Sequence, residues 1–281
     1  MTLNIRSSRS SGVLMALSFG RCRTIVVAGC PVTLAALAMA CSPAAAASPP
    51  GTPPTPSPTQ IPEQAFQAPH GLVLSVKEIG PSTQPADLQV VTLFTKASGQ
   101  TFTGAMADLD KRLGGTLSAV RDSGQFQANA LETLLINPPP GSIAARRLLV
   151  IGLGDAGQAS LDLMNKVGAV AAREAVRTRS ATVSFAPLLR DQSFSRLDTA
   201  QVGAEVVEGA LLAYDTEARF QRQDLQPCFA LKHWYYEAGP TYYPGVVTKV
   251  GQAVKDATAQ VNRRGDAPFG KTGPSHGACR I

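Results

Sequence analysis

The sequence predicts an α/β fold, a three-layer arrangement in which a mixed β-sheet carries helices on both faces. Three observations predict it. Two short apolar runs, Thr133–Ile136 and residues 148–151 (LLVI), are bounded by turn signals, as buried strands are. The second run passes through Gly152-Leu153-Gly154 into a long helical pattern, the strand, turn and helix order of a three-layer edge. Elements of both kinds then alternate as β-β-α-β-β-α-β-α over about 150 residues.

The chain has 281 residues, enough for one good domain with additions. Residues 1–47 hold four arginines (Arg6, Arg9, Arg21, Arg23) and no acid. The formal charge of +6 therefore belongs mostly to the N-terminus, and the remainder, with 22 basic against 20 acidic residues, is close to neutral. That balance excludes a nucleic-acid footprint. Residues 24–40, TIVVAGCPVTLAALAMA, follow Arg21 and Arg23 and lead into Ala- and Pro-rich sequence, the layout of a signal peptide over 1–47. Met15 is an alternative start. A membrane-spanning helix is the rival reading, disfavoured by Pro31 and by a run of only 17 residues. Cleavage after Ala47 suits an A-x-A site, whereas Cys41 after Ala38-Met39-Ala40 is a candidate lipidation site in a degenerate lipobox. Contact with a membrane is expected only through such a segment. Residues 48–69 carry eight prolines and read as a linker. With the leader removed, Cys228 and Cys279 remain, a candidate disulfide for an exported, periplasmic or secreted chain.

The folded part is expected at 70–220. Residues 71–79 alternate as a strand, Pro81 to Pro85 turn the chain, and 88–95 (LQVVTLFT) form a second strand. Residues 103–113 read as a helix closed by Gly114-Gly115, with 117–120 as a short helical piece. Asn137-Pro138-Pro139-Pro140-Gly141 separates the two opening strands. Leu161–Arg177 carries apolar residues at helical spacing, and 181–186 (ATVSFA) is a further strand. Asp198 to Gln201 resembles a capping box at the start of a helix over 199–214. Residues 221–281 read as a C-terminal extension with an aromatic patch and one helix at 246–261.

Several motifs invite a chemical reading. Gly152-x-Gly154-x-x-Gly157 follows a strand and precedes a helix, as a dinucleotide fingerprint does. The next strand ends without the acid that would hold a ribose, so these glycines are kept only as weak ligand-binding candidates, and no cofactor is expected. The alternative is a turn too tight for a side chain. Residues 265–272, GDAPFGKT, match a P-loop pattern literally but follow a helical pattern instead of a strand. His70, His233 and His276 lie in no metal-ligand spacing, and no metal site is expected. Asp108 and Asp110 point apart on their helix. Ser160, Ser184 and Ser195 lack a nucleophile elbow. Trp234, Tyr235, Tyr236, Tyr242 and Tyr243 include the single Trp and four of five Tyr. They are a candidate interaction patch for a protein partner or a second copy of the chain, or else a satellite core.

The stretch LDKRLGGTLSAVRDSGQFQANALETLLINPPPGSIAARRLLVIGLGD resembles the N-terminal domain of leucine (cytosol) aminopeptidases, and EVVEGALLAYDTEARF resembles the helix that closes it. The resemblance covers roughly 70–220 and implies a macro-like α/β fold. The family's chemistry lies in a C-terminal domain that binds two metals through a Lys, several Asp and a Glu, with an NTDAEGRL signature. None of these motifs occurs here, and the 61 residues after Phe220 are too few for that domain. No catalytic residue is carried over. The expectation is an exported, non-catalytic binding or assembly domain. Its alternatives are a split leucyl aminopeptidase that needs a catalytic partner, and a macro-type binder of a nucleotide or ADP-ribose-like ligand at the glycine turn.

Overall fold

The structure, a computed structural model, describes residues 61–97 and 101–265. Their strands are β1 (Glu63–Gln67), β2 (Val73–Lys77), β3 (Leu88–Phe94), β4 (Thr133–Ile136), β5 (Leu148–Gly154), β6 (Thr182–Ala186) and β7 (His233–Glu237). Their helices are α1 (Gly104–Arg112), α2 (Thr116–Asp122), α3 (Leu161–Arg177), α4 (Thr199–Arg222) and α5 (Tyr243–Arg263). The strands form one sheet in the order β1-β2-β7-β6-β3-β5-β4. The five inner strands run parallel, and the edge strands β1 and β4 run antiparallel to their neighbours.

Parallel strands need crossover connections, which α3 supplies between β5 and β6 and α4 between β6 and β7. Strands covered on both faces are mostly apolar, and every residue of β3 is buried, the polar Gln89 and Thr92 included. Alternation along them divides two cores. Leu88, Val90 and Phe94 of β3 and Leu149, Ile151 and Leu153 of β5 join the larger core, under α3, α4 and α5. Val91, Leu93, Leu148 and Val150 join the smaller one, with Met106, Leu109 and Leu117 of α1 and α2.

Helices α3 and α4 cross with their backbones in contact. A Cβ on Gly168 would lie 1.9 Å from Val206 O, and one on Gly209 would lie 1.9 Å from Asn165 O. Both helices start at side-chain caps: Ser160 Oγ accepts from the Leu163 amide at 3.2 Å, and Asp198 Oδ1 from the Gln201 amide at 2.8 Å. The expected bounds of α3 hold at both ends, while α4 runs on from 214 to Arg222.

Two regions depart from the expectation. β1 lies inside the stretch read as linker, since an edge strand needs little more than backbone pairing and one anchor. Here Phe66 packs so closely on α5 that a Cβ at Gly251 would come within 2.8 Å of its ring. The C-terminal stretch is not an appendage to the sheet. β7 is a central strand between β2 and β6, and α5 packs on the larger core through Val246, Val250, Val254 and Ala257.

Candidate functional site

In an open α/β sheet, the connections leaving the carboxyl ends of parallel strands part and leave a crevice. Here β2, β7 and β6 end side by side, and their continuations lead to β3, α5 and α4. Between them lies a cavity of about 450 Å³. Its walls come from Glu78 and Ile79 after β2, from Leu188 to Asp191 and Leu197 after β6, from Thr199 and Val202 at the start of α4, and from Glu237 to Gly239 and Tyr242 after β7.

Glu237 is 5 % exposed and sits on the face of β7 opposite the larger core. Beneath it a polar row crosses three strands. Ser184 Oγ donates to Glu237 Oε1 at 2.6 Å, and Gln89 Nε2 donates to the same oxygen at 2.7 Å. Glu237 Oε2 is buried and takes no hydrogen bond from the described residues. Burial pushes this carboxyl up to about 7, against the pull of the two donors.

Arg190 is the cation of the site, and four of its five N–H donors are engaged. The guanidinium donates to Ser195 O at 3.2 Å, to Leu197 O at 3.3 Å and to Thr199 Oγ1 at 3.2 Å. It also lies 5.5 Å from the centre of the Tyr242 ring. Asp191 closes the far wall at the N-terminus of α1, where Met106 N donates to its Oδ2 at 3.1 Å. Burial raises the Asp191 pKa, and the α1 amides hold it down. The chain is tight here: Gly104 has φ +52°, and a Cβ on it would lie 2.6 Å from Asp191 Oδ1.

The glycine motif has a different role from the one its spacing suggests. Gly152 and Gly154 belong to β5 itself. A Cβ on Gly152 would lie 2.1 Å from Asn129 O, and one on Gly154 would lie 3.3 Å from Ala130 N. The 128–132 segment pairs with this strand end: Leu131 N donates to Gly152 O at 2.8 Å and Gly154 N to Ala128 O at 2.8 Å. The space a phosphate would need at Gly152 is filled by backbone. Gly157 N–H donates to the Asp155 carboxylate, and α3 starts only at Leu161, under the Ser160 cap. Helix N-terminus and glycines therefore do not converge as a dinucleotide site requires.

The aromatic patch comes apart. Trp234 and Tyr236 are each 1 % exposed and are core residues, which corrects their assignment to an interaction surface. They point to the helix face of β7, stacked with Phe185 at 6.2 and 6.0 Å between ring centres. Tyr235 points the other way, half-buried, with its ring 5.9 Å from that of His233. Tyr243 packs against the larger core, and Tyr242, 39 % exposed, stands at the rim of the cavity.

Asp108 accepts from Arg112 Nε and Ser82 Oγ, whereas Asp110 accepts from the Leu117 and Ser118 amides at the start of α2, so the two do part as expected. His70 Nε2 lies 2.9 Å from Asp215 Oδ1, a buried carboxylate that also pairs with Arg219 and Arg264. Cys228 is exposed in the segment between α4 and β7. Cys41, Cys279 and His276 lie outside the described residues, and with them the Cys228–Cys279 pairing, the signal segment and all but the first residue of the P-loop-like stretch. Among the described residues, no group of three or more His, Cys, Asp or Glu is placed to hold a metal. No helix among them is long and apolar enough to cross a membrane.

Residues 90–224 match the model of the cytosol aminopeptidase family, N-terminal domain. A probable cytosol aminopeptidase of Thermosynechococcus vestitus is 30 % identical over 135 residues, which is 48 % of this chain and 26 % of that protein. One from Acidobacterium capsulatum is 35 % identical over 115 residues, covering 41 % and 22 %. The chain thus spans about a quarter of the length of these relatives. Among solved structures, a tomato leucine aminopeptidase mutant aligns with 67 % of this chain and 36 % of its own at TM-score 0.48 and 16 % identity. An Oceanobacillus iheyensis macrodomain with MES bound aligns with 70 % of this chain and all of its own at TM-score 0.49 and 11 % identity.

Proposed function

From the premise that residues 90–224 are related to the N-terminal domain of the cytosol aminopeptidase family, we propose that this chain is an exported, non-catalytic binding domain. Its ligand occupies the cavity at the carboxyl ends of β2, β6 and β7. That cavity carries the reading, for its volume falls in the range of small-molecule sites and its apolar walls surround one buried carboxyl. Export is supported by the apolar run at 24–40 behind Arg21 and Arg23. Mass spectrometry of envelope protein tests it, with a mature N-terminus at or before Ser48 as the expected result.

A thermal-shift screen of small molecules against the purified chain and its Gly239→Phe variant tests the site. Gly239 lines the cavity, and a Cβ there meets nothing within 4 Å, so the position accepts a side chain, and a ring at the cavity's edge is expected to obstruct entry. Ligands that stabilise the parent and not the variant are expected; ligands that stabilise both equally contradict the assignment. The family relation favours a second reading, a split leucyl aminopeptidase acting with a catalytic partner. Two-metal hydrolysis requires clustered carboxylates. The purified chain with added manganese or zinc is therefore expected to leave leucine amide intact, and chelator-sensitive turnover that follows the protein through purification would overturn the non-catalytic reading.

A further inference from the structure

The charges around the cavity are unequal. Three carboxylates line it: Glu78 after β2, Asp191 after β6 and Glu237 at the end of β7. Facing them is one cation, Arg190, already bonded to Ser195 O, Leu197 O and Thr199 Oγ1 and stacked on Tyr242. Helix α4 contributes Thr199 and Val202, and α1 contributes Ala105, none of them charged. On β2 the register partner of Glu237 is Lys77, whose ammonium is turned to Glu63 at 3.4 Å and to the Tyr235 ring. Asp191 is committed to the amides that open α1. Glu237 is not committed in this way. Its Oε1 accepts two hydrogen bonds, while Oε2 is buried with no partner among the described residues, an expensive arrangement for a carboxyl group.

An anionic ligand would meet three acids against a single cation, four of whose five N–H donors are already engaged. A ligand without donors would leave Oε2 as it is. An ammonium brings three donors and a positive charge on a compact head, and a charge-assisted bond to a carboxylate is among the stronger ones available. The remaining walls, among them Leu189, Leu197, Val202 and Ala238, call for an apolar body.

Resting on the cavity reading above, we propose that the ligand is a small primary amine with an apolar body, its ammonium paired with Glu237. The ammonium head pairs with Oε2 while Oε1 keeps its bonds to Ser184 and Gln89. Because burial holds Glu237 protonated up to about pH 7, taking up an ammonium releases the carboxyl proton to solvent. Affinity then rises by close to tenfold per pH unit below about 7 and levels off above it, since an alkylamine stays charged to about pH 10.

The test is an NMR titration of the purified chain with three molecules of one shape: 3-methylbutylamine, 3-methylbutanol and 3-methylbutanoate. The expected order has the amine about tenfold tighter than the alcohol, and the carboxylate weakest. In Glu237→Gln, whose amide oxygen still accepts from Ser184 and Gln89, the amine falls to within about twofold of the alcohol. The pH series on the parent protein gives the same answer without a variant: an amine affinity flat from pH 5.5 to 7 overturns the pairing with Glu237. An alcohol that binds as tightly as the amine overturns the ligand class and leaves the cavity reading standing. If none of the three binds, both fall.

Discussion

The carboxyl edge of the parallel sheet is built in two ways. At the end of β5, the backbone of 128–132 pairs so closely with the strand that a methyl group on Gly152 would lie 2.1 Å from Asn129 O. At the ends of β2, β6 and β7, a cavity of about 450 Å³ stays open, floored by Glu237. The glycine-rich end is the filled one. Glycines permit close approach, and what approaches here is the chain's own backbone. The open end owes its space to three connections that part in different directions, a property of topology and not of any one segment.

Four tests, one of them a pair of glycine substitutions, sharpen or break this contrast, in descending order of effect. Trp234→Ala removes a large buried ring stacked on Phe185 and is expected to cost about 3–5 kcal/mol in denaturant melts. A cost under about 1 kcal/mol would return Trp234 to the surface. Gly152→Ala forces a methyl into backbone and is expected to cost about 3 kcal/mol or more, whereas Gly239→Ala at the open end stays within about 0.5 kcal/mol. Equal costs would erase the difference between the two ends.

Glu237→Gln comes third, and its sign follows from linkage. The folded carboxyl titrates near 7 against an ordinary value of 4.5, so between these values the folded chain holds a proton that the unfolded chain has released. Stability therefore falls as pH rises from 4.5 to 7, by up to about 3 kcal/mol, and then levels off. The Gln variant is expected to lose that slope and to be more stable than the parent at pH 8 by thermal melts. A parent whose stability rises across the window would contradict the buried, partly unpaired carboxyl. Tyr242→Ala, at the rim, is expected to change stability by about 1 kcal/mol or less, while loosening Arg190 and weakening cavity ligands.

Much of the fold was readable in the chain. The strands at Leu88–Phe94, Thr133–Ile136 and Thr182–Ala186 show apolar runs of the right length, and α3 announces itself by periodicity. Asp198 caps α4 as its position suggests. What was not readable depends on distant partners. HWYYE has the alternation of a strand, yet nothing local says that β2 and β6 flank it and α4 and α5 cover it. The same aromatics on an edge strand would have formed a surface. β1 is short and polar, and its pairing with β2 is carried by backbone groups common to every residue. The cavity gathers Glu78, Arg190 and Glu237 from three widely separated stretches, and the one local hint is an acid ending an otherwise aromatic strand.

The central claim is that ligands enter at β2, β6 and β7 and not at the glycine motif. Amide chemical-shift mapping of the purified chain titrated with 3-methylbutylamine tests it most directly. The account predicts shifts concentrated at Arg190, Asp191, Ala238 and Gly239, saturating together and absent in Gly239→Phe. Shifts concentrated at Gly152, Gly154 and Gly157, or none at any concentration, would contradict it.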